Sequence, residues 1–98
     1  MLGIEGAVAV VTGAAQGNGK AIAIGLARAG ARVAVCDIQK EAVSATAAEI
    51  GPQAVAIALD VTSRESCAAA AKEVHSAFGA PTGILINNAG IIRRTAPD

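Results

Sequence analysis

The stretch Thr12-Gly13-Ala14-Ala15-Gln16-Gly17-Asn18-Gly19, TGAAQGNG, follows the apolar run Ala7-Val8-Ala9-Val10-Val11. A short continuous apolar run of this kind reads as a parallel strand buried on both faces. The residues after it, Lys20 to Ala29, carry Ile22, Leu26 and several alanines and predict a helix that stops at Gly30. A strand that turns sharply into a helix aims free N–H groups and the positive end of the helix dipole at one spot, where an anion such as phosphate is stabilised. In such a turn Gly13 suits the tight bend, Gly17 lets an anion reach the main chain, and Gly19 lets the helix start close against the strand.

Outward from this turn the pattern repeats. Arg32 to Asp37 (RVAVCD) predicts a second strand, and Gln39 to Ile50 a second helix with Val43, Ala47 and Ile50 on one side and Gly51-Pro52 as its stop. Ala54 to Leu59 predicts a third strand. Thr62-Ser63-Arg64-Glu65 has the S/T-x-x-E form of a capping box, and the helix it opens has Cys67, Ala71, Val74 and Phe78 at helical spacing. Gly79 and Pro81 end that helix, and Gly83 to Ile86 predicts a fourth strand running into Asn87-Asn88-Ala89-Gly90. The order βαβαβαβ with short connections implies right-handed crossovers and a parallel sheet covered by helices. We expect a doubly wound α/β unit with strand order 3-2-1-4; a flavodoxin-like half is the alternative, and it gives the glycines no purpose.

The 98 residues are 53% hydrophobic and 16% charged with zero formal net charge, which fits one globular unit and gives no electrostatic preference for nucleic acid. No stretch approaches the roughly 20 apolar residues that cross a bilayer, and Glu5 stands where a secretory signal needs a cation, so the expected location is cytoplasmic. Cys36 and Cys67 lie in no metal-binding spacing and are expected to be small buried hydrophobes. His75, the one imidazole, is expected to be a solvated helix residue.

Two other phosphate loops fail on inspection. A P-loop ending at Gly19-Lys20 needs Gly at Ala14 and a hydroxyl at Ala21, and a G-x-G-x-x-G starting at Gly17 puts Ile22 at its last glycine. What remains is T-G-x-x-x-G-x-G. Asp37 then closes the second strand at the distance, about 20 residues, where a dinucleotide domain places an acid against a ribose diol. Asp60-Val61 ends the third strand on the same sheet edge, and Asn87-Asn88-Ala89-Gly90 follows the fourth, with two amides able to tie strand ends together. Each feature also has a plainer reading: a bare turn for the glycines, a solvated strand end for Asp37, a turn-forming Asp60 and a polar turn after the fourth strand.

Taken in order, these four features resemble the short-chain dehydrogenases/reductases over nearly the whole chain. The resemblance implies a Rossmann-type fold, an oxidoreductase ancestry and a nicotinamide cofactor, NAD. It also implies Gly13, Gln16, Gly17, Asn18 and Gly19 as the pyrophosphate and ribose cradle, Asp37 as the ribose anchor with Ile38 beside it, Asp60 and Val61 as adenine contacts, and Asn87, Asn88, Ala89 and Gly90 as the wall beside the cofactor riboses. Asn18 departs from the family, which usually has an aliphatic residue there.

The family's chemistry rests on a Ser and a Tyr-x-x-x-Lys element downstream of N-N-A-G, and this chain has no tyrosine. Residues 1–98 are therefore expected to be the amino-terminal, NAD-binding portion of one oxidoreductase domain, with no catalytic residue and no metal site of its own. The whole enzyme would act on a small alcohol/carbonyl substrate, probing no nucleic acid or membrane, as a homo-oligomer. The alternative is a stand-alone dinucleotide-binding or regulatory module without catalysis.

Overall fold

Alternate strand residues point to opposite faces of a sheet, so apolar runs with no polar alternation require cover on both sides. A computed structural model describes residues 4–88, and these form that arrangement. The elements are β1 (Val8–Thr12), α1 (Gly17–Arg28), β2 (Arg32–Asp37), α2 (Lys40–Ile50), β3 (Ala54–Ala58), α3 (Arg64–Phe78) and β4 (Ile84–Asn87). All pairings are parallel and the strand order is β3-β2-β1-β4, the order expected from the alternation. This is a Rossmann-like α/β fold.

The two faces carry separate cores. Ala9, Val11, Val33 and Val35 pack with Ala23 and Ala27 of α1 and Val43 of α2, while Leu26, Ala47 and Ile50 close the margin. On the other face Val8, Ala34, Cys36 and Ile57 pack with Ala70 and Val74 of α3. The second layer is incomplete over β1 and β4. Val10 is only half-buried and Leu85 is 64% exposed, and both line an apolar groove of about 350 Å³ together with Val61, Cys67, Ala71 and Asn87.

Three local expectations change. Helix α1 begins at Gly17 instead of Lys20: Gly17, with φ 64°, makes the turn into it, and Gly19 in its first turn lies so close to the Gly13 carbonyl that no side chain fits. The cap of α3 is Ser63, whose hydroxyl accepts the Ser66 N–H at 3.1 Å. Thr62 does not cap, since its own hydroxyl and N–H are both directed at Asp60. Finally, Cys36 is fully buried as expected but Cys67 is exposed, and so is Ala71. Both lie along the groove where nothing among the described residues covers α3, and Ala70 takes the buried position beside Val74.

Arg32 fastens the edge of the fold opposite the glycine turn. Its guanidinium donates to the carbonyls of Phe78 (2.9 Å) and Gly6 (2.8 Å) and lies 5.7 Å from the centre of the Phe78 ring. The carboxyl end of α3 is thereby tied to β2 and to the turn before β1.

Candidate functional site

Parallel pairing in this register brings the carboxyl ends of the strands to one edge. Thr12 stands opposite Cys36 on one side and Asn87 on the other, and Asp37 stands opposite Ala58. Such an edge, beside the β1/β4 boundary where the strand order reverses, is where open α/β sheets bind ligands. A cleft of roughly 120 Å³ opens there, lined by Thr12, Gly13, Cys36, Asp37, Ile38, Leu59, Asp60 and Val61. It unites three of the four features singled out from the sequence: the glycine turn, the acid after β2 and the Asp-Val pair after β3.

The glycine turn is shaped by three distinct constraints. Gly13 has φ 66° and Gly17 φ 64°, a region that side chains disfavour. A Cβ on Gly17 would meet nothing within 4 Å, so the space over this residue is open. Gly19 is buried and different: a Cβ there would run into the carbonyl of Gly13, with Asn88 Nδ2 3.0 Å away. The start of α1 therefore lies directly against the end of β1.

The first turn of α1 holds no acidic residue, and its N-cap, Gln16, makes no side-chain cap bond. The first N–H groups of a helix lack intrahelical partners, so this end suits an anion brought from outside. Asn18 is exposed at the same end. Lys20 points elsewhere, its Nζ 2.9 Å from Glu49 Oε1 on α2, in keeping with the failed P-loop reading.

Asp37 holds the turn from the side. Its Oδ2 accepts the Ala15 N–H at 3.2 Å and its Oδ1 the Gln39 N–H at 3.0 Å, while Ala14 N–H donates to the Cys36 carbonyl at 3.0 Å. Ile38, beside it, is 66% exposed at the cleft. Asp60 serves its own turn: Oδ1 accepts both the N–H (3.0 Å) and the hydroxyl (2.6 Å) of Thr62, and the Asp60 N–H donates to Ser66 Oγ. The plainer, turn-forming role is thus present at Asp60, and Val61 supplies apolar lining.

At the fourth feature the amides do join strand ends. Asn88 Nδ2 donates to the Gly13 carbonyl at 3.4 Å, and the Thr12 hydroxyl lies 3.2 Å from Asn87 Oδ1 and 3.4 Å from the Ile86 carbonyl. Ala89 and Gly90 lie outside the described residues, as do Arg93 and Arg94. His75 is exposed on α3, away from this edge. Among the described residues no group of three or more His, Cys, Asp or Glu could hold a metal, and no helix is long and apolar enough to cross a membrane.

Two contributors go beyond the roles read from the sequence. Thr12 ties β1 to β4, and Thr46 of α2, 1% exposed, places its hydroxyl 3.5 Å from the Ala15 carbonyl. The signal for Thr46 was its spacing, three residues after Val43 on the buried side of α2. A larger groove of about 410 Å³ lies between β3 and α3, lined by residues such as Val55, Ile57, Lys72 and Glu73. It is away from the strand carboxyl ends and from every motif described above.

Comparison with known proteins agrees with this geometry. A model of the short chain dehydrogenase family matches residues 7–98. The chain is 49% identical to a sorbitol dehydrogenase of Cereibacter sphaeroides over 88 residues, covering 90% of this chain and 34% of that protein. It is 44% identical to a D-threitol dehydrogenase of Mycolicibacterium smegmatis over 93 residues, covering 92% and 35%. The fold superimposes on a 3-ketoacyl-(acyl-carrier-protein) reductase of Brucella melitensis complexed with NADH, with TM-score 0.81 and 38% identity over 84% of this chain and 34% of that one. This chain spans about a third of the length of these relatives. On the match of the family model across nearly all its residues, the chain belongs to the short-chain dehydrogenase family.

Proposed function

We propose that this segment holds the NAD of an oxidoreductase acting on an alcohol/carbonyl pair in a small molecule. The observation that carries the reading is the cleft in which Asp37, the glycine turn and the Asp60-Val61 pair meet. The residues fit the group: an open face over Gly17 and a helix end without acidic side chains suit the pyrophosphate, and the Asp37 carboxylate suits a ribose diol. Bound there, the nicotinamide would supply the hydride acceptor or donor. This chain's part is to bind and orient; Gln16, Asn18 and Gly19 complete the pyrophosphate end, and Val61 the adenine end, with Asn87 to Gly90 along the riboses.

NAD is favoured over NADP because a 2′-phosphate would be set against the Asp37 carboxylate. Gln16 and Ile38, both exposed, bring no cation to offset that repulsion. The 98 residues hold no tyrosine for the family's acid/base role, so binding without turnover is proposed for them in isolation.

The test is titration of the full polypeptide with NADH and with NADPH, followed by nicotinamide fluorescence, with ADP-ribose as competitor. Tighter binding of NADH by about 10-fold or more, displaced by ADP-ribose, is the expected result; that ratio is the scale of one charge-assisted contact. Failure to bind either dinucleotide removes the proposal, and a preference for NADPH removes its NAD part.

A further inference from the structure

Ala15 lies at the crown of the glycine turn, and its two peptide groups are held from different elements. Its N–H donates to Asp37 at the end of β2, and its carbonyl faces the hydroxyl of Thr46 on α2. Thr46 is one of two buried polar residues in the described core, at 1% exposure, and its hydroxyl has a second acceptor, the Ala42 carbonyl one helical turn back at 3.4 Å. One hydroxyl proton serves one acceptor at a time in full strength. The distances of 3.5 Å and 3.4 Å are both longer than the usual O–H···O range of about 2.5–3.0 Å, so both contacts are long and the two carbonyls compete for the one proton.

The Ala15 carbonyl belongs to the same planar unit as the Gln16 N–H, and no cis peptide occurs in the chain as described. In a trans peptide the two point in opposite directions. A carbonyl held toward α2 therefore aims the N–H of Gln16, the residue that caps α1, away from α2. An anion accepting that N–H would polarise the peptide and make its carbonyl a better acceptor. The Thr46 proton would then move from Ala42 to Ala15.

We propose that Thr46 is a positioning residue for the dinucleotide: its hydroxyl fixes the Ala15–Gln16 peptide so that the Gln16 N–H faces the pyrophosphate. This rests on the dinucleotide reading above. Thr46 touches no ligand itself and acts through the peptide of the turn.

The experiment compares Thr46→Val, which keeps the shape and removes the hydroxyl, with Thr46→Ser, which keeps the hydroxyl, in the full polypeptide; Thr46→Ala is a second hydroxyl deletion should Val fold poorly. NADH affinity, and amide exchange of residues 14–17 without dinucleotide, are measured. Loss of one neutral hydrogen bond predicts NADH affinity weaker by about 3- to 10-fold in Val and Ala, with Ser within about twofold of the parent. The same variants exchange the turn amides faster, and Ser does not. A Val variant that binds NADH as the parent does, or a Ser variant as weak as Val, overturns the proposal. If the parent binds neither NADH nor NADPH, the dinucleotide reading falls and the ligand part of this proposal with it; equal exchange in all variants overturns the clamp on the peptide as well.

Discussion

The carboxylate of Asp37 accepts the N–H of Ala15 at 3.2 Å, joining the end of β2 to the turn after β1 across 22 residues of sequence. With Gln39 N–H on the other oxygen, each oxygen has taken one donor. An ionised carboxylate offers about four acceptor positions, so a ribose diol can be met without releasing the turn. Asp37 thus shapes the turn and, in the proposed reading, keeps acceptor capacity for the ligand.

Asp37→Ala in the full polypeptide is expected to weaken NADH by about 10- to 100-fold, the scale of losing charge-assisted hydrogen bonds of about 1.5–3 kcal/mol. NADPH should lose less, because a repulsion disappears along with the turn contact. Measuring both dissociation constants checks this, and an unchanged NADH/NADPH ratio would take Asp37 out of the ribose role.

Two glycines of the turn should respond differently to alanine. Gly17→Ala adds a methyl in open space but keeps a residue at φ 64°, a strain of about 1–2 kcal/mol. Gly19→Ala drives a methyl into the Gly13 carbonyl, where only backbone can give way, and falls at the upper end of the overpacking range, about 3 kcal/mol. Urea unfolding of the two variants should rank Gly19→Ala as the more damaging. The reverse order would mean that α1 does not rest against β1 at this point.

The sheet was legible because its signal is long and redundant. Arg32 to Asp37 is read with its observed bounds, since an arginine and an aspartate close an unbroken apolar run. The start of α1 was less legible because glycines at 17 and 19 count against helix by propensity, whereas here close approach to β1 requires one of them. On α3 the run Cys67-Ala68-Ala69-Ala70-Ala71 has no polar residue to mark its outer side, so the buried position fell at Ala70 instead of Cys67 or Ala71. Thr46 was legible only in part: its spacing from Val43 marks a buried position, but its contact with the Ala15 carbonyl arises only where the turn folds back over α2. Likewise Asp60 reads equally as ligand contact and as turn former, and its bonds to Thr62 show the second role without bearing on the first.

Arg32 should matter to stability far from the cleft. Its two carbonyl bonds and its place near the Phe78 ring hold the end of α3, which otherwise packs on the β3 side of the sheet. Arg32→Ala is expected to cost about 1–3 kcal/mol, with the partial exposure of the site keeping it below the sum of two charged bonds. Arg32→Lys should recover only part, because an ammonium lacks the fork that spans both carbonyls. Faster amide exchange near residues 76–79, with NADH affinity retained, is the matching local readout; a loss of affinity equal to that of Asp37→Ala would contradict the separation of the two edges.

The two cysteines make the last test, and it separates burial from reactivity. Burial pushes the Cys36 thiol up to about 12 from 9.0, with Glu73 and Asp37 adding in the same direction. A folded value above the unfolded one means that the native state keeps a proton the unfolded state releases. The contribution to stability is therefore fully present below pH 9 and is lost as pH rises from about 9 toward about 12, at up to about 1.4 kcal/mol per pH unit. Other groups titrate in this range, so the informative quantity is the difference between the parent and Cys36→Ala. The variant should be less stable near pH 7, by about 1 kcal/mol for the lost packing, and should close or reverse that gap as pH passes 10. In parallel, a thiol reagent applied to the native 98-residue chain at pH 8 should label exposed Cys67 rapidly and leave Cys36 unlabelled until denaturant is added. Parallel stability curves for the two proteins above pH 9, or labelling of both thiols at one rate in the native state, would show that Cys36 is not held in the core between β1 and β3 as described.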